Sequence, residues 1–156
     1  MIRLIWAMTK DQVIGKNNRI PWHIQEDLLY FKSHTEGQTV FMGEATYRSL
    51  KGYYKKRPLP YGKIYVASLD PNFQIEDGVV ITDAIAFLKT IQEDIWVVGG
   101  ASIYKLALPY ADALYISWIK ASYEGDTLFP VIDFTKFHLV WEKQTDLVHY
   151  TLYERV

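Results

Sequence analysis

The sequence predicts an α/β fold, a three-layer sandwich around a mostly parallel central sheet that ends in an antiparallel C-terminal hairpin. Three observations carry this. Short apolar runs of strand length alternate with helix-period segments as far as Ile119, the pattern that parallel β/α units produce. Glycines stand between strand and helix at Gly43 and at Gly99-Gly100, where an open α/β sheet collects its ligands. The last two segments, Phe137–Lys143 and Val148–Glu154, alternate apolar with polar residues and are joined through Gln144, Thr145 and Asp146. The 156 residues are 49% hydrophobic and 15% aromatic, enough to close one core, so a single domain over 1–156 is expected.

Taken in order, residues 2–8 are apolar enough for a central strand buried on both faces. Residues 9–23 carry Gly15, Asn17, Asn18 and Pro21 and read as a long loop, the kind that serves as a lid or binding element. A helix follows over 24–34, then a strand at 39–42 and a helix at 44–50. Lys51 to Lys63 reads as a loop from its Gly and Pro punctuation, and 64–68 as the third strand. A short strand at 79–81 leads into a helix capped by Thr82-Asp83 with Ile85, Leu88 and Ile91 as its apolar stripe. Strand 95–98, helix 101–108 and strand 114–119 precede the hairpin.

Charge and composition narrow the function classes. A net charge of −1, from 17 basic and 18 acidic residues, leaves no footprint for nucleic acid or an anionic membrane, so the expected partner is a small molecule. A monomer is expected, although no residue pattern carries that expectation. With no cysteine there is no disulfide framework and no thiolate chemistry, which suits a reducing cytoplasm. The apolar N-terminus turns polar at Thr9-Lys10-Asp11-Gln12, too soon for a signal or membrane segment.

Asp27 makes the sharpest chemical statement. It shares a helix face with Ile24, Leu28 and Phe31, whereas Glu26 points away, and no Lys or Arg precedes it in the helix. A carboxylate on an apolar face needs a cationic or protonated partner from the protein or from a ligand. The plain alternative, an acid favoured by the dipole in a first helical turn, accounts for Glu26 and Asp27 together but not for that face. Trp22, just before the helix, reads as a hydrophobic staple. Gly99-Gly100 and Gly43 each allow an anion to approach backbone N–H groups at a helix start, and each is a weak signal alone. His23, His34, His138 and His149 show no metal-ligand spacing and read as surface or strand histidines; no metal is expected. The cations at 51–63 read as a solvated loop or as steering for an anion.

These residues together resemble the dihydrofolate reductase family. Leu4-Ile5-Trp6-Ala7, Val13-Ile14-Gly15, Asn18, Ile20-Pro21-Trp22, Asp27-Leu28, Phe31-Lys32 and Val40-Phe41-Met42-Gly43 stand in that family's order and spacing. So do Thr46-Tyr47-Arg48-Ser49-Leu50, Arg57-Pro58-Leu59-Pro60, Val97–Tyr104, Leu108-Pro109 and Glu124–Pro130. The resemblance implies a dihydrofolate-reductase-like fold and hydride transfer from NADPH to 7,8-dihydrofolate, an antifolate-sensitive step in the tetrahydrofolate supply of one-carbon metabolism. It implies catalytic roles for Asp27, Trp22 and Ser117, the last standing where the family usually has a threonine behind the aspartate. The substrate would meet Ile5, Trp6, Ala7, Leu28, Phe31 and Lys32, together with Ser49, Leu50, Arg57, Val98 and Tyr104. The cofactor would meet Ala7, Ile14, Gly15, Asn18 and Ile20 from the lid, and Gly43, Glu44, Ala45 and Thr46 after the second strand. Ala67, Ser68 and Leu69, the run Gly99, Gly100, Ala101, Ser102, Ile103 and Tyr104, and Thr127 complete that set. The resemblance also implies a cis peptide between Gly99 and Gly100.

Two departures from the family pattern set further expectations. Where the family has an arginine after Arg-Pro-Leu-Pro that clamps the folate glutamate, this chain has Tyr61, Gly62 and Lys63, leaving Lys32 and Arg57 as the other cations. Where basic residues usually meet the 2′-phosphate of NADPH, this chain has Glu44 and Ala45, with Ser102 in place of a common arginine, so NADH is admitted beside NADPH. The alternatives are a reductase of another pterin or of a pyrimidine, and a non-catalytic pterin- or nucleotide-binding module.

Overall fold

The computed structural model describes residues 1–17 and 19–156. Its elements run β1 (Ile2–Thr9), β2 (Val13–Gly15), α1 (Gln25–Thr35), β3 (Thr39–Gly43), α2 (Glu44–Tyr54), β4 (Lys63–Ala67), β5 (Val79–Ile81), α3 (Ala84–Thr90) and β6 (Ile95–Val97). They continue with α4 (Ala101–Ala107), β7 (Ala113–Ile119), β8 (Thr127–Leu128), β9 (Phe137–Gln144) and β10 (Val148–Arg155), with short 3-10 turns at Leu108–Tyr110 and Phe134–Lys136.

Eight strands form one sheet in the order β5-β4-β3-β6-β1-β7-β10-β9. The six from β5 to β7 are parallel, and β10 and β9 close the edge antiparallel. Strand alternation divides the core in two. Leu4, Trp6 and Met8 of β1, Phe41 of β3 and Tyr65 of β4 pack with Leu88 of α3 and with Ile103 and Tyr104 of α4. Ile5, Val40, Met42, Ile64 and Val66 face the other way, against Tyr47 of α2 and Phe31 of α1. The sheet is therefore the middle of three layers, as expected.

Topology places the cleft. The chain leaves β1, builds β3, β4 and β5, and returns to insert β6 between β3 and β1. α2 leaves β3 towards one face and α4 leaves the adjacent β6 towards the other, so the carboxyl ends of β3 and β6 open into a crevice.

Two expectations need correction. The helix expected at 44–50 continues to Tyr54, with Gly52 inside it. Tyr47, Leu50 and Tyr54 recur on one face and pack on the second core, and that stripe outweighs the roughly 1 kcal/mol helix penalty of an exposed glycine. Loop 9–23 also contains structure: β2 pairs antiparallel with β8 far along the chain, a contact too short and too remote to leave a periodic signal.

Candidate active site

Asp27 lies in the first turn of α1, whose N-cap position, Ile24, gives no side-chain cap. Its side chain is turned inward and the residue is 9% exposed. Burial raises its carboxyl pKa to about 6, hydrogen bonding with the Ser117 hydroxyl pulls back against that rise, and the neighbouring Glu26 charge adds to it. No lysine or arginine contributes. Ser117 comes from the middle of β7 and is 2% exposed. Glu26 points instead to the β9–β10 turn, where it accepts a hydrogen bond from the Thr145 hydroxyl. Leu28 departs from expectation: its position next to Asp27 leaves it nearly half exposed, so the buried face consists of Asp27 flanked by the half-buried Ile24 and Phe31.

The walls follow the β1 alternation. Ile5 joins the core on the Phe31 side, where Leu50 and Val98 also pack, and Ala7 packs with Trp22 and Tyr150. Trp6 does not fit the expected substrate wall. Its indole lies on the opposite sheet face, stacked on Phe129 at 3.9 Å between centroids and 5.6 Å from Tyr104, because side chains one residue apart on a strand point to opposite faces. The Tyr104 hydroxyl donates to the Ile5 carbonyl at 2.8 Å and joins the two halves of the crevice.

At the crevice mouth the backbone is kept bare. Gly99 has φ +126°, a region costly for any side chain, and the Gly99-Gly100 peptide is cis, as the resemblance implies. A Cβ added at Gly99 or Gly100 would stand 3.4 or 3.3 Å from the Thr46 hydroxyl oxygen. The Gly43 N–H donates to the Gly99 carbonyl at 2.8 Å, and a Cβ on Gly43 would meet Ile103 at 2.9 Å. These contacts bring the α2 start, with Glu44, Ala45 and Thr46, beside the α4 start, with Ala101 and the exposed Ser102. Such a bare cradle of backbone N–H groups fits the pyrophosphate of a dinucleotide.

Beyond the cradle, the end of β4 carries Ala67, the buried Ser68 and the exposed Leu69. The Ser68 hydroxyl donates to Glu44 Oε1 at 2.5 Å, and Arg48 Nε donates to Glu44 Oε2 at 2.7 Å. Both contacts lower the Glu44 pKa, Ser68 first, so this end of the crevice presents a fixed carboxylate. Arg48 also lies 5.0 Å over the Phe73 ring.

The loop before α1 is latched to the segment around β8. Asp126 N–H donates to the Gly15 carbonyl at 3.0 Å, Asn17 N–H to Asp126 Oδ2 at 2.9 Å, and Phe129 N–H to the Gln12 carbonyl at 2.8 Å. Thr127 pairs with Gly15, and Ile14 packs on the first core while Ile20 is exposed. Asn18, expected to meet the cofactor, lies outside the described residues. Trp22 ends this loop buried, 5.5 Å from the Tyr123 ring.

The other end of the crevice lacks the arginine that the resemblance leads one to expect. Lys63 does not stand in: on β4 it shares a face with Tyr65, donates to Glu93 at 3.2 Å and sits 4.8 Å over the Tyr65 ring, on the α3 side of the sheet. Gly62 is pressed against the turn after α1. Its N–H donates to the Gln38 carbonyl at 3.0 Å, Gly37 N–H donates to the Pro60 carbonyl at 2.8 Å, and a Cβ on Gly62 would stand 2.4 Å from the Gly37 carbonyl oxygen. Lys32, Ser49 and Arg57 are exposed, and Arg57 lies 5.1 Å over Tyr54.

Several neighbours escaped the sequence reading. Arg48 was findable as the i+4 partner of Glu44. Tyr30 and Tyr150, whose rings meet at 4.3 Å beside Asp27, required the register of β10 on β7. His34 is half-buried rather than superficial, 4.7 Å from Tyr30 and 5.2 Å from Tyr115, and burial lowers its pKa.

The family model described as dihydrofolate reductase matches residues 1–154. The dihydrofolate reductase of Bacillus subtilis is 37% identical over 146 residues, covering 92% of this chain and 84% of that relative. Dihydrofolate reductase type 3 of Salmonella typhimurium is 42% identical over 133 residues, 83% of this chain and 78% of its own length. Among solved structures, dihydrofolate reductase from Enterococcus faecalis, complexed with NADP(H) and RAB-propyl, superposes with a TM-score of 0.82 at 31% identity over 99% of this chain and 96% of that one.

Proposed function

We propose, for a chain that belongs to the dihydrofolate reductase family and reduces 7,8-dihydrofolate to 5,6,7,8-tetrahydrofolate with NADPH, that Asp27 is the carboxylate which grips the pterin edge. The observation that carries this reading is a buried carboxylate whose pKa is raised to about 6 and which no cation of the protein neutralises. The N–H groups of the pterin 2-amino and N3 edge supply the missing donors, and pairing two of them with one carboxylate fixes the ring in orientation. So held, the pterin favours a proton at N5, delivered by water. Ile5, Ala7, Phe31, Leu50 and Val98 supply its apolar walls.

NADPH supplies the hydride, and the Gly43 and Gly99-Gly100 cradle would hold its pyrophosphate. Trp22 and the latched loop before it close over the reacting carbons and exclude water. Arg57 and Lys32 are the cations left for the folate glutamate, in place of a bidentate arginine.

Glu44 sets an expectation for cofactor choice. A fixed carboxylate repels a 2′-phosphate and accepts from free ribose hydroxyls, so the preference for NADPH over NADH is narrower than is usual in the family. Glu44→Gln is expected to raise the ratio of NADPH to NADH affinity several-fold, read by quenching of tryptophan fluorescence at low salt. An unchanged ratio removes Glu44 from cofactor selection.

We also place the chain as one domain over 1–156, a monomer of the cytoplasm that does not engage nucleic acid. The near-neutral charge supports the last of these. No described helix is long and apolar enough to cross a membrane. The activity itself is tested with purified protein, dihydrofolate and NADPH. Loss of reduced-nicotinamide absorbance matched by tetrahydrofolate formation is expected. Saturable binding of both without oxidation would return the chain to a binding module. Higher kcat/KM on a tail-less dihydropterin than on dihydrofolate would favour a different pterin substrate, the reading to which the absent tail arginine points.

A further inference from the structure

The β10 register puts Tyr150 directly opposite Ser117 on β7. Antiparallel partners project from the same face with their Cβ atoms about 5 Å apart, so the phenol shares the compartment of the hydroxyl that serves Asp27. Tyr150 is 4% exposed, packed with Trp22, Ile119 and Val148, and its ring lies 4.3 Å from Tyr30 of α1. Its hydroxyl oxygen is buried and has no hydrogen-bond partner among the described residues. Buried hydroxyls are seldom left so, and the acceptors near this one are the carboxylates of Asp27 and Glu26.

Groups on α1, β7, β1 and β10 face Asp27. From α1 come Glu26, already accepting from Thr145, and Tyr30, whose pKa burial raises to about 12. From β7 come Ser117, bonded towards Asp27, and Tyr115, which faces Tyr30. His34, a turn beyond Tyr30, is favoured as the neutral ring by burial. β1 contributes only the apolar Ile5 and Ala7. Tyr150 is what β10 contributes; burial, then the charges of Asp27 and Glu26, with Tyr30 and the approach of its hydroxyl to the Glu26 carboxylate, raise its own pKa, so it remains an O–H donor. Two carboxylates with spare lone pairs and one phenol donor thus share a compartment. Glu26 is tied to the Thr145 turn, whereas Asp27 lies beside Ser117, the residue directly opposite Tyr150.

We propose, resting on the Asp27 reading above, that Tyr150 is a positioning residue for Asp27: its hydroxyl donates through one bridging water to the carboxylate and stabilises the ionised form that grips the pterin. The link makes β10, the outer partner of β7, part of the proton chemistry.

Tyr150→Phe removes only the hydroxyl. The titration midpoint of Asp27 in the free enzyme, followed by NMR of carboxyl carbons and assigned by its loss in Asp27→Asn, is expected to rise by about half a unit to one unit. The midpoint in the pH profile of kcat/KM for dihydrofolate should move the same way. A phenol that is merely structural, or that serves Glu26 alone, predicts something else: the Asp27 midpoint would not move in Tyr150→Phe. That result overturns the proposal while leaving Asp27 in place, provided Asp27→Asn still lowers turnover by about a hundredfold or more. If Asp27→Asn keeps wild-type turnover, both fall. Tyr150→Leu serves as a second deletion, and a midpoint still at the wild-type value there also overturns the proposal.

Discussion

At pH 8, Asp27→Asn is expected to resist urea better than the wild type, by at most about 3 kcal/mol. The sign follows from the pKa. Asp27 titrates at 3.8 in the unfolded reference and at about 6 in the folded protein, so between these values the native state holds the extra proton. The wild type therefore loses stability as pH rises from about 4 to about 6, and above that carries the full penalty of an ionised, buried carboxylate. Asparagine carries no such penalty at any pH. The difference should be small near pH 4, grow through pH 5 to 6, and stay level from pH 7 upward. Denaturation curves at four pH values measure it. Parallel curves with no pH-dependent gap would mean that Asp27 is solvated in the folded state and needs no ligand.

Gly62→Ala is expected to cost about 1–3 kcal/mol, and Gly62→Arg at least as much, without any gain in dihydrofolate affinity. The Cβ alone brings the strain, since it would stand 2.4 Å from a backbone oxygen that two flanking hydrogen bonds hold in place. A flexible side chain could move aside; the Gly37 carbonyl cannot without opening the turn between α1 and β3. The arginine of the family pattern is thus excluded by backbone packing as well as missing from the sequence. Urea midpoints report the cost, and KM for dihydrofolate reports the tail. A Gly62→Arg protein of wild-type stability with a lower KM would contradict the packing described at that turn.

What could be read from the sequence divides along physical lines. The sheet, its antiparallel edge and most helices were legible because their apolar periods are long enough to count, as in β1 or β10. Asp27 was legible because a charge on an apolar helix face is a local contradiction. The rest depended on long-range pairing. The β2–β8 latch joins two segments of three and two residues whose partners only the fold brings together. The side of the sheet on which Lys63 lies, the opposed faces of Ile5 and Trp6, and the seat of Tyr150 opposite Ser117 are all consequences of register, which no local pattern discloses. Glu44 stood out as an acid in an expected basic place, yet its clamping by Ser68 and Arg48 became visible only when β4 was set beside the start of α2.

Turnover of dihydrofolate by Asp27→Asn at pH 7 tests the role of this carboxylate most directly. The amide keeps the shape and the fold but loses the charge that pairs with the pterin edge. Catalysis is expected to fall by about a hundredfold or more while NADPH affinity stays at its wild-type value. Wild-type turnover in that variant would contradict the assignment of this buried carboxylate to the reaction.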